Sequence, residues 1–466
     1  MKRFVPGQRV HIIGIGGFGM SAIARILLLR GMTVTGSDRQ RSELATALVT
    51  LGATIYTGHS AEYIRGAHMV IATSAAPDDH VEIVAARAAG IPVYRRRDVL
   101  AALMEGHKVI AVAGTHGKTT TTAMIVHLLR ESGRDPSYIV GGVMPNTGTN
   151  AGLGTGGLFV IEADEYGHMF HGINPDIAVL TSLEYDHPDY FATETDMRRA
   201  FADFLVRLPP NGRLIVCADD RAALALAREV AGQREVISYG LDNPTQFNLA
   251  AVNTQIGASG STTFEVQVGF GHLRQVVASA RLTIPGLYNV RNALAALAVV
   301  DGLGLFIPDA ASLLRSFAST GRRFELRADV GGVAIIDDYA HHPTAIRMTV
   351  EAARQRYPQR MLWVVWQPHM YSRTQRLIDD YATAFADADY VLVTDIYAAR
   401  EEPIPGVDAS WAAAHLRDVD ARASGSLQQT VRLLRDHVSA PAVILILSAG
   451  NAPQIGQDYL ASIQEG

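Results

Sequence analysis

Short β-branched runs ending in glycine, aspartate or serine alternate with helical stretches along this whole chain, and the alternation restarts twice. Strands separated by helix-length segments cross over to pair in parallel, so the pattern confines the chain to α/β sheets whose loops gather at the strand ends. A first series holds Val10-His11-Ile12-Ile13, Thr33-Val34-Thr35 and Met69-Val70-Ile71-Ala72. A second runs from Val109-Ile110-Ala111-Val112 through Phe159-Val160-Ile161 and Ile177-Ala178-Val179-Leu180 to Leu214-Ile215-Val216. A third holds Val333-Ala334-Ile335-Ile336, Leu362-Trp363-Val364-Val365, Tyr390-Val391-Leu392-Val393 and Val443-Ile444-Leu445-Ile446. A chain of 466 residues exceeds one hydrophobic core, and the restarts predict three domains, 1–106, 107–320 and 321–466. Residues 245–284 instead alternate apolar with polar side chains around Gly257, Gly260, Gly269 and Gly271, which predicts an antiparallel insertion in the second domain.

Composition excludes several classes. With 48% apolar and 19% charged residues, the chain is neither disordered nor fibrous. A net charge of -5 and the lack of a long lysine or arginine run argue against nucleic acid. Arg95-Arg96-Arg97 is the one basic cluster, readable as a solvated loop or as one wall of an anion site. Cys217, the single cysteine, excludes an intramolecular disulfide and a multi-thiolate zinc site, and its apolar neighbours predict a buried, inert thiol. Lys2 and Arg3 precede an apolar stretch, but Arg9 and the glycines from Gly14 onward interrupt it, unlike a signal segment. No segment reaches the ~18 apolar residues of a membrane span. A cytoplasmic protein, monomeric or weakly homo-oligomeric, is expected.

The strongest local signal is Gly114-Thr115-His116-Gly117-Lys118-Thr119-Thr120 between a β-run and a helical stretch. Such a turn surrounds phosphates with backbone N–H groups and the positive end of a helix dipole. Lys118 can then reach terminal phosphates and Thr119 can bind Mg2+. Val112 stands where the usual P-loop has its first glycine. Gly14-Ile15-Gly16-Gly17-Phe18-Gly19-Met20-Ser21, with Asp38 ending the second strand, permits close approach of a nucleotide diphosphate, of which a nicotinamide cofactor is one candidate.

Strand ends collect the remaining polar groups: Glu162, Asp164, Glu165, Glu184, Asp186, His187 and Asp219-Asp220 in the second series, and Asp337-Asp338, Gln367-Pro368-His369, Asp395 and Ser448-Ala449-Gly450 in the third. Two facing polar rims predict a cleft between domains. Oxygen ligands with one imidazole suit Mg2+ or Mn2+ better than zinc. Asn289 and Asn292 share one helix face after Pro285-Gly286, as helix-start residues or as an adenine or ribose contact. His341-His342 lacks a cysteine or spaced carboxylate to complete a metal set, so substrate contact or capping of a helix at Pro343 is expected.

With these blocks in order, together with Gly321-Arg322-Arg323-Phe324-Glu325, Asp337 to Thr344 and Gln367 to Thr374, the chain resembles the Mur ligases from about Val10 to Ala449. The resemblance implies a Rossmann-like UDP-binding domain, a P-loop ATPase-like central domain and a Rossmann-like C-terminal domain. It implies ATP-dependent joining of L-alanine to the lactyl carboxylate of UDP-N-acetylmuramate through an acyl phosphate, in peptidoglycan synthesis. Gly14, Gly16, Gly17, Gly19, Met20, Ser21, Asp38, Thr73, Ser74, Ala75 and Asn150 would serve the UDP-sugar. Gly114, Thr115, Gly117, Lys118, Thr119, Thr120, Asn292, Arg323 and Asp337 would surround ATP. Thr119, Glu162 and His187 would hold magnesium, while Lys118, His342 and Arg373 would serve the chemistry, the last two facing alanine and the reacting carboxylate. Met370 replaces a frequent family arginine, Tyr166-Gly167 a frequent Ser-Asp, and Ser448-Ala449-Gly450-Asn451 the usual Gly-Ala-Gly. The rival readings are a ligase that attaches a ready-made tripeptide to the same sugar, a nicotinamide-dependent oxidoreductase, and a non-catalytic UDP-sugar sensor.

Overall fold

Strand Arg9–Ile13 is the centre of the first sheet, because Val10, Ile12 and Ile13 are almost wholly buried and must be covered on both faces. The computed structural model describes residues 4–241, 247–257, 260–270 and 273–464; Lys2, Arg3 and Gly271 lie outside them. The sheet has five parallel strands in spatial order Thr54–Thr57, Thr33–Asp38, Arg9–Ile13, Met69–Ala72 and Val93–Arg95. Chain order reverses between Arg9–Ile13 and Met69–Ala72, so the loops after these two strands diverge and leave a crevice.

The second sheet has ten strands, with Lys108–Ala113 flanked by Ile177–Leu180 and Leu158–Glu162, both parallel to it. Helices Lys118–Glu131 and Leu287–Gly302 pack together against this sheet. The insertion forms antiparallel strands Leu249–Ile256, Thr262–Phe270 and Leu273–Leu282, which extend the same sheet at one edge. The third sheet runs Glu325–Val330, Val333–Asp338, Ala442–Leu447, Met361–Trp366, Tyr390–Thr394 and Asp420–Gly425, parallel except for the first pair. The fold is therefore three α/β units. The first two share one continuous hydrophobic cluster, with helix Phe18–Leu29 set against strands Ser137–Met144 and Thr149–Gly152.

Candidate active site

The phosphate loop starts where strand Lys108–Ala113 ends, and its glycines are sterically required. Gly114 has φ +135° and presses against Ser182 N, which a Cβ would approach to 2.8 Å; a Cβ on Gly117, at φ +80°, would come within 2.6 Å of Asn292 Oδ1. Thr115 Oγ1 donates to Glu184 O (2.7 Å) and His116 N to Ser182 Oγ (2.8 Å), so the loop is braced against the end of strand Ile177–Leu180. Lys118 opens the next helix, and its Nζ donates to Gly114 O (2.5 Å) and lies 2.9 Å from Glu165 Oε2. Burial opposes the charge on Lys118, yet Glu165, Asp164 and Glu162 raise its pKa above the ordinary value. A fixed ammonium results.

Thr119 Oγ1 donates to Glu162 Oε1 (3.1 Å), whose other oxygen accepts from Gly141 N (2.7 Å). Burial pushes the Glu162 carboxyl up, against the pull of Lys118 and Arg323. His187, at φ +57°, places Nε2 3.4 Å from Glu165 Oε1. Burial opposes its protonation, but Asp186 and Glu165 hold its pKa above the ordinary value. Thr119 and Glu162 are joined directly, and His187 lies on the wall of the same cavity through Glu165; hydroxyl, carboxylate and imidazole are donor types that suit Mg2+ or Mn2+. Glu165, which bridges Lys118 and His187, was legible only as one of an acidic group.

These groups face a cavity of about 830 Å³ that all three units wall: Phe18, Gly19 and Thr73 to Ala75 from the first, the phosphate loop from the second, Tyr339 to His342 and Arg373 from the third. Asn292, with Asn289 beside it, also lines the cavity, accepting from Thr121 Oγ1 (3.1 Å) and donating to Asn289 Oδ1 (3.2 Å). Arg323 reaches Thr119 Oγ1 (3.4 Å) and lies over the Tyr339 ring. Thr120 belongs to the same wall.

Residues 9–108 match the catalytic domain of the Mur ligase family, 112–300 the Mur ligase middle domain and 322–450 the Mur ligase glutamate ligase domain. The chain belongs to the Mur ligase family. It is 40% identical to the UDP-N-acetylmuramate–L-alanine ligase of Frankia casuarinae, over 98% of each chain. It is 42% identical to the enzyme of that name from Roseiflexus, over 98% of this chain and 99% of that one. The crystal structure of the Thermotoga maritima UDP-N-acetylmuramate-alanine ligase superposes with a TM-score of 0.81 at 28% identity, covering 98% of this chain and 99% of that one. A murein peptide ligase from Psychrobacter arcticus superposes with a TM-score of 0.73, also at 28% identity and covering 98% of both chains.

Within this Mur ligase the expected site residues separate into cavity wall and scaffold. Gly14 (φ +75°), Gly16 and Gly17 shape the first turn, and Asp38 Oδ2 accepts from Gly16 N (2.8 Å), holding that turn in place. Met20 and Ser21, expected on the UDP-sugar, are 3% and 2% exposed and belong to the packing of helix Phe18–Leu29; Ser21 Oγ donates to Phe18 O. Asn150 is likewise buried and donates to Phe18 O (2.8 Å), joining the second unit to the first. The basic cluster divides. Arg95 donates to Thr73 O (3.0 Å) and Ala76 O (2.6 Å), whereas Arg96 enters the cavity and lies so close to Gly19 that a Cβ there would come within 2.7 Å of its Nε.

Asp337, expected beside ATP, is turned away from the cavity. It sits in a separate recess of about 210 Å³ with Glu325, Arg327 and Gln457, whereas Asp338 lines the cavity and accepts from Phe324 N and Ala340 N, each at 2.7 Å. Successive strand residues face opposite sides. All six residues of Val333–Asp338 are buried, so no polar alternation marks which of the two aspartates faces the ligand side.

His342 N-caps helix Pro343–Arg356, its Nδ1 accepting from Thr344 N (3.4 Å) and its Nε2 donating to Tyr185 O (3.3 Å). Burial and the neighbouring His116 lower its pKa, favouring the neutral ring. Glu184 accepts from His116 (2.8 Å) and from Thr344 Oγ1 (2.6 Å), linking phosphate loop to third unit. Burial opposes ionisation of Glu184, but His116, His342 and Thr344 bring its pKa down to about 2. His116, Glu184 and His342 form a group with ligand atoms within 4.8 Å of one another, which completes around His342 a carboxylate–imidazole set that neighbours in sequence do not supply. Arg373 lines the cavity but is only 2% exposed, with Nε and Nη2 both held on Asp186 Oδ1.

Proposed function

We propose that this Mur ligase joins L-alanine to the lactyl carboxylate of UDP-N-acetylmuramate at the expense of ATP, in peptidoglycan synthesis. The observation that carries the reading is one cavity shared by all three units, with a fixed ammonium at Lys118 between the first unit's loops and the third unit's strand ends. Full-length relatives named for this activity support it over the tripeptide-attaching alternative. Family membership removes the oxidoreductase reading.

A carboxylate repels an attacking amine and has no good leaving group. Transfer of the γ-phosphoryl group of ATP to a carboxylate oxygen releases ADP and makes an acyl phosphate. The alanine nitrogen then attacks the acyl carbon and loses a proton, and the carbon–oxygen bond to phosphate breaks. Lys118 neutralises charge on the transferring group, the N–H groups of the helix's first turn, Lys118 to Thr120, hold the phosphates, and Arg323 approaches the same region from the third unit. Thr119, Glu162 and His187 would hold the magnesium ion, which supplies charge neutralisation on the phosphates when bound. Closure of three units over one cavity excludes the water that would hydrolyse the acyl phosphate. No helix among the described residues is long and apolar enough to cross a membrane. A cytoplasmic site of action and a monomer or weak homo-oligomer complete the proposal.

The test is phosphate release from UDP-N-acetylmuramate and MgATP with single amino acids or with the tripeptide. Release with alanine alone is expected; release with the tripeptide alone would replace this reading with its rival. Glu162→Ala and His187→Ala should each raise the half-saturating Mg2+ concentration, by roughly tenfold or more. Magnesium titrations identical to the parent would remove both from the metal site.

A further inference from the structure

Asp186 stands in the loop after strand Ile177–Leu180 of the second unit, and Arg373 in helix Tyr371–Arg376 of the third. The two meet at 2.9 Å from Asp186 Oδ1 to Arg373 Nη2 and 3.1 Å to Nε, with side-chain exposures of 6% and 2%. Asp186 Oδ1 also accepts from the backbone N of His187 (2.6 Å), which fixes the carboxylate against its own loop. Arg373 has further contacts: Nη1 lies 3.1 Å from His369 Nδ1 and Nη2 3.3 Å from His187 Nδ1. A guanidinium carries five N–H donors, so among the described residues these contacts leave one Nη1 hydrogen uncommitted. Its direction is set from the other unit.

A buried ion pair stabilises little relative to a well-packed apolar pair, because both ions lose their hydration. What it supplies is direction: a planar fork held on a carboxylate cannot rotate as a lysine ammonium can. We propose that Asp186 is a positioning residue, which pins Arg373 across the interface between the second and third units so that its remaining Nη1 hydrogen addresses the carboxylate of the incoming amino acid. This assignment rests on the alanine-ligase reading. Asp186 acts on the amino acid through Arg373, while its bond from the backbone N of His187 ties the same carboxylate to the loop that carries the expected metal ligand.

The test compares the parent with Asp186→Asn, Arg373→Lys and the double variant, measuring kcat and KM for alanine and the affinity of a non-hydrolysable ATP analogue. Asp186→Asn keeps the shape and removes the charge. Misplacing a reacting group by about an ångström costs on the order of 100-fold, and a rise in alanine KM of about 10- to 100-fold is expected, with ATP-analogue affinity unchanged. The double variant should be no worse than the poorer single one, because both remove the same contact. An Asp186→Asn variant with unchanged alanine KM, or effects that multiply in the double variant, would overturn the proposal. Should Asp186→Asn fail to fold, Arg373→Lys alone decides, since it keeps the charge opposite Asp186 and loses the fork: an unchanged alanine KM then rejects the assignment. A parent that releases no phosphate with alanine would instead sink the alanine-ligase reading.

Discussion

Lys118→Ala is expected to reduce alanine-dependent phosphate release by at least roughly 10²- to 10³-fold, the usual loss when one preorganised charge-stabilising donor is removed. The lysine is no mobile surface cation. Its side chain is 13% exposed, its Nζ is held over the phosphate loop by Gly114 O, and Glu165 keeps it charged. Because a fixed ammonium needs no reorganisation as charge develops on the transferring phosphoryl group, its loss falls on turnover. UDP-sugar affinity should be nearly unchanged by calorimetry, since the loops at Gly14 to Gly19 and Thr73 to Ala75 belong to a different sheet. A parallel loss of that affinity would show that Lys118 serves the sugar nucleotide instead.

Asp337→Asn is expected to stabilise the protein above neutral pH. Asp337 is 3% exposed, its Oδ1 has no hydrogen-bond partner among the described residues, and Arg327 Nε stays 3.6 Å from Oδ2. Burial pushes its carboxyl from 3.8 up to about 6, with Arg327 only partly offsetting it. The folded state thus binds this proton more tightly than the unfolded chain. The associated stability is fully present below the unfolded value of 3.8 and is lost as pH rises through about 6. Above that the ionised carboxylate costs at most about 3 kcal/mol, which an asparagine of the same shape avoids. Urea midpoints of parent and variant should differ near pH 8 and converge near about pH 4. Affinity for an ATP analogue should not change. A variant that loses it would return Asp337 to the nucleotide site, and a variant less stable at pH 8 would mean that the carboxylate has a native partner.

The two aspartates at the end of strand Val333–Asp338 mark where sequence reasoning stops. Local chemistry is enough to place the phosphate loop: a β-run, then Gly114 and Gly117 at positive φ, then a helix opened by Lys118. Each of those features depends on residues a few positions apart. The same holds for the glycine turn after Arg9–Ile13, for the cap at His342 and for the apolar runs that became central strands. Strands with half-exposed, polar sequences were not legible, among them Glu325–Val330 and Asp420–Gly425, because at a sheet edge no burial pattern is imposed. Which of Asp337 and Asp338 faces the cavity was likewise undetermined, since a strand covered on both faces carries no alternation.

Sequence by itself determined three α/β units, a phosphate loop and the family of blocks that surround it. Tertiary structure alone decided the partnerships: Arg96 against Gly19, Glu184 between His116 and Thr344, and Asp186 on Arg373. The physical reason is range. Backbone geometry and side-chain periodicity act over a few residues, whereas Asp186 and Arg373 are 187 positions apart in the chain and meet only because two different sheets turn their strand ends toward one cavity.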